Sequence, residues 1–297
     1  MTKIGVIGAG KWGEALAFAL SEKCEVFITS RKKRDMKNFI SLEEILELEY
    51  LVITIPAQQI SSWLRDNFIY KNQKILVASK GIEASSGKFL NEIYEEYVPK
   101  ESLAFLSGPS FAHEVLKSLP TALVVNSTNG EVSSKFASFF PSFIKSYTST
   151  DVAGAEVAGA YKNVIAIAAG VCEGLALGKN ASASLIARGL VEMHRFGLVY
   201  GAKEESFIGL SGAGDLFLTA SSTMSRNFRV GLGLAEGKSS SAILEELGEV
   251  AEGVGTAYAL NEIAKKKDLY LPIAKEIYEI LEGKSPKESL RDLLSRG

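Results

Sequence analysis

Residues 3–20 read KIGVIGAGKWGEALAFAL. Lys3 to Ile7 is a short apolar run of the kind that forms a strand buried on both faces. Gly8-Ala9-Gly10-Lys11-Trp12-Gly13 follows, and then a helical pattern from Glu14 to Leu20. A GxGxxG spacing is weak by itself. Here a strand precedes it, a helix follows it, and a second apolar run stands at 25–29, which is the context a dinucleotide site requires. The glycines allow a tight turn and close approach of the backbone, and the helix start offers free N–H groups to a pyrophosphate. The alternative is a plain strand-to-helix turn that needs small residues.

Outward from this turn, apolar runs recur at 50–55, 74–79, 103–106, 122–125 and 143–147. Helical patterns lie between them, for example at 12–21, 59–65 and 87–97. Strand and helix alternating in this way predict a doubly wound, mostly parallel α/β fold of the Rossmann-like kind. Near 149–151 the pattern changes. Helical segments follow at 152–177, 184–197, 212–220, 227–235, 240–247, 256–266, 272–281 and 286–294, with no convincing strand. Asp151 can cap the first of them, Pro272 and Pro286 suit helix starts, and Gly237, Gly283 and Gly297 suit helix ends. The expected layout is a dinucleotide-binding domain at 1–150 and an all-helical substrate domain at 151–297.

Composition narrows the function. The 297 residues are 46% hydrophobic and 23% charged, with a formal net charge of -2. Residues 1–150 carry 17 basic and 16 acidic side chains, and 151–297 carry 16 and 19, so nucleic acid is not the expected partner. No uninterrupted apolar run reaches the roughly 18 residues that span a bilayer, and stable membrane insertion is not expected. Lys3 leads directly into a strand with no charged leader, and Cys24 and Cys172 give no disulfide framework, so a cytoplasmic location is expected. His113 and His194 are far apart, and no cluster has metal-ligand spacing, so no metal is expected.

Five places carry chemistry. The strand at 25–29 ends in Ser30-Arg31-Lys32-Lys33, where an NAD site usually has a carboxylate. Arg31 can stack on adenine or pair with a 2′-phosphate, to which Ser30 can donate a hydrogen bond; the alternative is a solvated basic loop. NADPH is the favoured cofactor, and NADH is retained as the alternative. Lys80 follows the run at 74–79, where strand ends of an open sheet face the ligand crevice. Lys162 interrupts a nearly continuous apolar helix together with Asn163. A buried lysine has a lowered pKa, which suits proton transfer, unless it snorkels at a helix edge. Ser225-Arg226-Asn227 at a helix start reads as a grip for phosphate or carboxylate, or as a simple cap. Asp215 stands in a glycine-rich turn, as a cap or a substrate contact.

Together these pieces resemble the bacterial-type NAD(P)-dependent glycerol-3-phosphate dehydrogenases. IGAGKWG at 7–13, SKGIE at 79–83, SGPSFAHEV at 107–115, YKNVIAIAAG at 161–170, GLSGAGDLFLT at 209–219, SRNFRVG at 225–231 and VAEGVGT at 250–256 occur in family order. The resemblance implies interconversion of dihydroxyacetone phosphate and sn-glycerol 3-phosphate, which supplies phospholipid synthesis. By motif it makes Lys162 the acid/base and has Lys80 touch both cofactor and substrate. Gly108 and Ser110 would line the substrate. Asp215, Ser225, Arg226 and Asn227 would hold its oxygens. Gly8, Gly10, Trp12, Gly13, Ser30, Arg31, Ala112, Arg226, Val250 and Glu252 would contact NADPH. The stretch from Arg31 to the third strand is shorter than the family usually carries, and a homodimer is left open. The rival readings are a related dehydrogenase acting on a hydroxy acid and a non-catalytic dinucleotide sensor.

Overall fold

The computed structural model describes residues 1–295. Its first half is one seven-stranded sheet in the order β2-β1-β3-β4-β5-β6-β7. The strands are β1 (Lys3–Ile7), β2 (Glu25–Thr29), β3 (Tyr50–Ile53), β4 (Lys74–Val77), β5 (Leu103–Ser107), β6 (Thr121–Asn126) and β7 (Ile144–Ser149). All neighbours pair in parallel except β5 with β6. Helices α1 (Lys11–Leu20), α2 (Leu42–Ile45), α3 (Ile60–Asn67), α4 (Leu90–Tyr94), α5 (Ala112–Val115) and α6 (Gly130–Phe139) link the strands. Two apolar clusters, on opposite faces of the sheet, make this the expected doubly wound architecture.

The second half is helical: α7 (Val152–Gly174), α8 (Gly178–Leu198), α9 (Glu204–Ile208), α10 (Asp215–Ala220), α11 (Arg226–Ala235), α12 (Ser240–Leu247), α13 (Glu252–Lys267), α14 (Pro272–Leu281) and α15 (Pro286–Ser295). By length and composition α7 is apolar enough to cross a membrane, but its apolar stretch is buried as the core of this half. Asp151 caps it as expected, accepting from Gly154 N at 3.0 Å. Gly237 and Gly283 stand just past α11 and α14, and Gly297 lies outside the described residues.

Several boundaries differ from the pattern reading. The helix expected at 87–97 is regular only over α4, and α8 starts six residues before the expected 184. The helix expected from 212 begins as a π turn (Leu210–Gly214) and becomes α-helical only at Asp215. Helix α13 starts at Glu252 rather than 256, which brings Glu252 into the first turn.

One helix crossing sets the site. A Cβ on Gly170 of α7 would lie 2.0 Å from the Phe228 carbonyl oxygen, and one on Gly231 of α11 would lie 2.0 Å from that of Ile167. The two backbones therefore touch, and side chains at the start of α11 meet the middle of α7. Gly231→Ala is expected to cost roughly 1–3 kcal/mol, because backbone atoms cannot yield to the added methyl. A lower denaturant midpoint at unchanged slope would show this, and an unchanged midpoint would refute it.

Candidate active site

A cavity of about 2110 Å³ runs from the glycine turn, past the end of β4, to the start of α11. Parallel strands end on this side of the sheet, so their loops converge here. At the turn, Gly8 has φ +114° and a Cβ on Gly13 would lie 1.8 Å from the Gly8 carbonyl oxygen. Only glycine fits either place. Gly10 differs: a Cβ there would meet nothing within 4 Å, and the residue lines the cavity. The turn is thus closed on its protein side and open on its cavity side, as a pyrophosphate cradle must be. Trp12 donates its indole N–H to Ala78 O at 2.9 Å, tying the start of α1 to the end of β4.

The tip of β2 is basic and exposed. Arg31, Lys32 and Lys33 line the cavity and make no ion pair among the described residues, whereas Arg34 is held by Glu14 at 2.9 Å. Ser30 donates its hydroxyl to Lys32 O at 2.7 Å. Its proton is therefore engaged in the loop, contrary to the expectation of a free donor beside Arg31. Ala112, at the start of α5, and Ser110 line the cavity too. So do Val250 and Glu252.

Further along the cavity lie two lysines around one carboxylate. Lys162 of α7 donates to Asp215 Oδ1 and, at 3.0 Å, to Thr219 Oγ1. Lys80 donates to Asp215 Oδ2 at 2.5 Å and to Gly108 O at 3.5 Å. Lys162 is 8% exposed and Asp215 1%, so the snorkelling alternative for Lys162 is excluded. Burial pushes the Lys162 ammonium down to about 8, helped by Lys80 and opposed by Asp215. Burial alone would raise the Asp215 carboxyl, but the two ammonium groups outweigh it and hold it below its ordinary value. Lys80 and Lys162 line the cavity, while Asp215 and Gly108 sit behind its wall as their partners. The carboxylate is therefore placed to hold the lysines rather than to face the cavity.

The basic helix start completes the ring. Ser225 caps α11 by accepting from Phe228 N at 3.2 Å, so the capping alternative for this serine is realised. Asn227 donates to Asn163 Oδ1 at 2.9 Å and accepts from Gly253 N at 3.0 Å, fastening α11 to both α7 and α13. Arg226 lines the cavity 3.8 Å from Glu249, which also takes Lys11 at 2.6 Å. Glu252 accepts from Ala57 N at 3.1 Å, and its Oε2 is buried. Burial pushes its carboxyl up to about 7, against the Ala57 amide, the Arg226 charge and Gln58.

Sequence reasoning passed over Thr219, Asn163 and Glu249 as site residues. Thr219 had a signal: it stands four residues after Asp215 in a helix, on the same face. Glu249 had none, since it lies in the loop between α12 and α13 and meets Lys11 only through the fold.

A glycine cradle on a doubly wound sheet, opening onto Lys80 after β4 and the buried Lys162 of the helical half, defines a dinucleotide-dependent oxidoreductase. Two family models match the chain: NAD-dependent glycerol-3-phosphate dehydrogenase N-terminus over residues 3–47 and 34–133, and the C-terminus over 151–291. A glycerol-3-phosphate dehydrogenase (NAD(P)+) of Sulfurimonas denitrificans is 80% identical, covering 99% of this chain and 100% of that enzyme. One from Nitratiruptor sp. is 61% identical over 99% of this chain and 98% of its own. The crystal structure of glycerol-3-phosphate dehydrogenase from Coxiella burnetii superposes with a TM-score of 0.91 at 30% identity, covering 99% of both chains. The chain belongs to the NAD(P)-dependent glycerol-3-phosphate dehydrogenase family. The hydroxy-acid and sensor readings are accordingly not favoured.

Proposed function

We propose that this enzyme interconverts dihydroxyacetone phosphate and sn-glycerol 3-phosphate, with Lys162 moving the proton and NADPH as the preferred cofactor. The observation that carries the reading is the Lys162–Asp215–Lys80 cluster, set where the dinucleotide cradle meets the start of α11. Residues 1–150 serve as the dinucleotide-binding part and 151–297 as the substrate-binding part. The product glycerol 3-phosphate feeds phospholipid synthesis, in the cytoplasm.

The open face of Gly10, the start of α1 and the basic tip at Arg31 fit a dinucleotide with its pyrophosphate on the turn. Its bound nicotinamide supplies or accepts the hydride at the carbinol carbon. The chain does the rest. In ketone reduction Lys162 as an ammonium gives its proton to the oxygen; in alcohol oxidation the neutral amine takes it back. Lys80 offers a fixed positive charge to the developing alkoxide. Asp215 keeps the two ammonium groups together, since without it they would repel each other in a dry site. Arg226 and the first N–H groups of α11 provide a place for the phosphate, which is remote from the reacting carbon and so supplies binding energy. The deciding assay is NADPH oxidation with dihydroxyacetone phosphate against unphosphorylated dihydroxyacetone, and equal use of both would overturn the reading.

The preference for NADPH rests on the β2 tip, which carries Arg31, Lys32 and Lys33 and no acidic residue before Asp35. A 2′-phosphate brings about two negative charges to an exposed basic loop, so its advantage is expected at low salt and shrinks as salt rises. Arg31→Ala is expected to raise KM for NADPH more than KM for NADH. Saturation curves for both cofactors check this, and equal losses would mean that Arg31 only stacks on adenine.

A further inference from the structure

We propose that Ser107, Ser211 and Asn126 are positioning residues for the proton transfer, a buried hydrogen-bonded chain that pins the turn carrying Asp215 to the sheet. The proposal rests on the assignment of Lys162 as acid/base and adds to it the part of the fold that holds Asp215 in place. Asn126 ends β6 and Ser107 ends β5, at the sheet's antiparallel pairing. Asn126 Nδ2 donates to Phe105 O at 3.0 Å and to Ser107 Oγ at 2.8 Å. Ser107 Oγ lies 2.7 Å from Ser211 Oγ. All three residues are buried.

The proton inventory leaves each member of the chain with a partner. The Asn126 amide nitrogen is closest to Ser107 Oγ and Phe105 O, with Val124 O further off at 3.3 Å, so the Ser107 oxygen is an acceptor there. Its own proton can go to Ser211 Oγ at 2.7 Å or to Val124 O at 3.4 Å, and either hydroxyl can donate across the 2.7 Å contact. The chain thus crosses from the sheet into the π turn Leu210–Gly214. Its two ends touch the cluster from opposite sides. Ser107 is followed by Gly108, whose carbonyl receives Lys80, and the π turn runs directly into Asp215, which receives both lysines. A π turn is a strained local winding that an isolated segment does not favour, so something outside it has to hold it. Gly214 N to Gly209 O at 3.1 Å closes the turn on itself, and Ser211 ties it to the sheet.

The charged groups around Lys162 are Asp215 on α10 and Lys80 after β4. Glu156 lies on its own helix, and Arg226 of α11 and Glu252 of α13 line the same cavity. Of these, Asp215 is the group that favours the Lys162 ammonium. If the turn slackens, that support weakens and the amine loses its proton at lower pH.

Ser211→Ala is the test. Ser107 keeps Val124 O as an acceptor, so no buried hydroxyl is orphaned and the variant folds. Saturating rates of glycerol 3-phosphate oxidation are followed from pH 6 to 10 in parent and variant, with dinucleotide binding as the control for an intact fold. We expect kcat to fall about tenfold, as slight misplacement of a reacting group does. The pH midpoint should fall by about half a unit or more as the Asp215 contribution weakens. KM for glycerol 3-phosphate should stay within about twofold, since Arg226 is untouched. Ser107→Ala, which cuts the chain on both sides, should move kcat and the midpoint in the same direction. An unmoved midpoint, or a change in KM alone, overturns the proposal. If the parent shows no midpoint at all, the Lys162 assignment fails instead.

Discussion

Replacing Lys162 by alanine is expected to lower turnover by roughly 10²–10⁴-fold, the usual worth of a positioned general acid or base. Dinucleotide binding should persist, because the Gly8–Gly13 turn and the β2 tip lie on other elements. The loss is large because no neighbour can take over. Lys80 is held by Asp215 and the Gly108 carbonyl, and Thr219 has no useful acidity. The variant should fold, since Asp215 keeps Lys80 as its partner. The pH dependence carries a sign. With the parent amine near 8, alcohol oxidation needs the neutral form and should rise with pH through that value. Ketone reduction needs the ammonium and should fall over the same range. Both limbs should be missing from the variant. Steady-state rates in each direction, beside dinucleotide titrations, check the prediction, and near-parent turnover would sink the assignment.

The strands and the glycine turn were legible because their signals are local. Val6 and Ile7 before Gly8 and the spacing to Gly13 depend on one strand, one turn and one helix. Lys162 was legible for a different reason: a charge in a helix that is apolar all round needs an explanation. The partner of that charge was not legible. Asp215 looked equally like a cap, and only the packing of α10 against α7 brings it to Lys162 and Lys80. The π turn was read as the start of a helix, since both use small residues and helical periodicity, and its contact with the sheet, Ser211 to Ser107, joins residues 104 positions apart. Asn163 stood beside Lys162 in the sequence, but its use depends on the glycine contact that brings Asn227 within 2.9 Å. Ser30 shows the opposite limit: its residue type suited a phosphate donor, while the loop turns its hydroxyl onto Lys32 O. Pairings between distant elements are set by the fold, and these are what the pattern reading lacked.

Arg226→Ala is expected to weaken phosphorylated substrate by about 2–4 kcal/mol, or about 30- to 1000-fold in kcat/KM, the range for losing a charge-assisted contact. The side chain stands at the first position of α11, so its charge adds to the free N–H groups there. Ser225 and Asn227 are committed to fastening that helix start, and Arg226 is the one cation of the three. It is 3.8 Å from Glu249, a loose pairing that a phosphate dianion can outcompete. The loss should fall on the phosphate alone. Unphosphorylated dihydroxyacetone, which has nothing for Arg226 to hold, should be used equally poorly by parent and variant. The pH limb near 8 belongs to Lys162, on another helix, and should stay where it is. Dinucleotide affinity should change far less than substrate affinity, because the pyrophosphate cradle is built on α1. Rates with the phosphorylated and unphosphorylated ketone, in both proteins, form a double comparison. If the two substrates lose equally, Arg226 acts through the reacting centre or the fold, and the phosphate must be held elsewhere in the cavity.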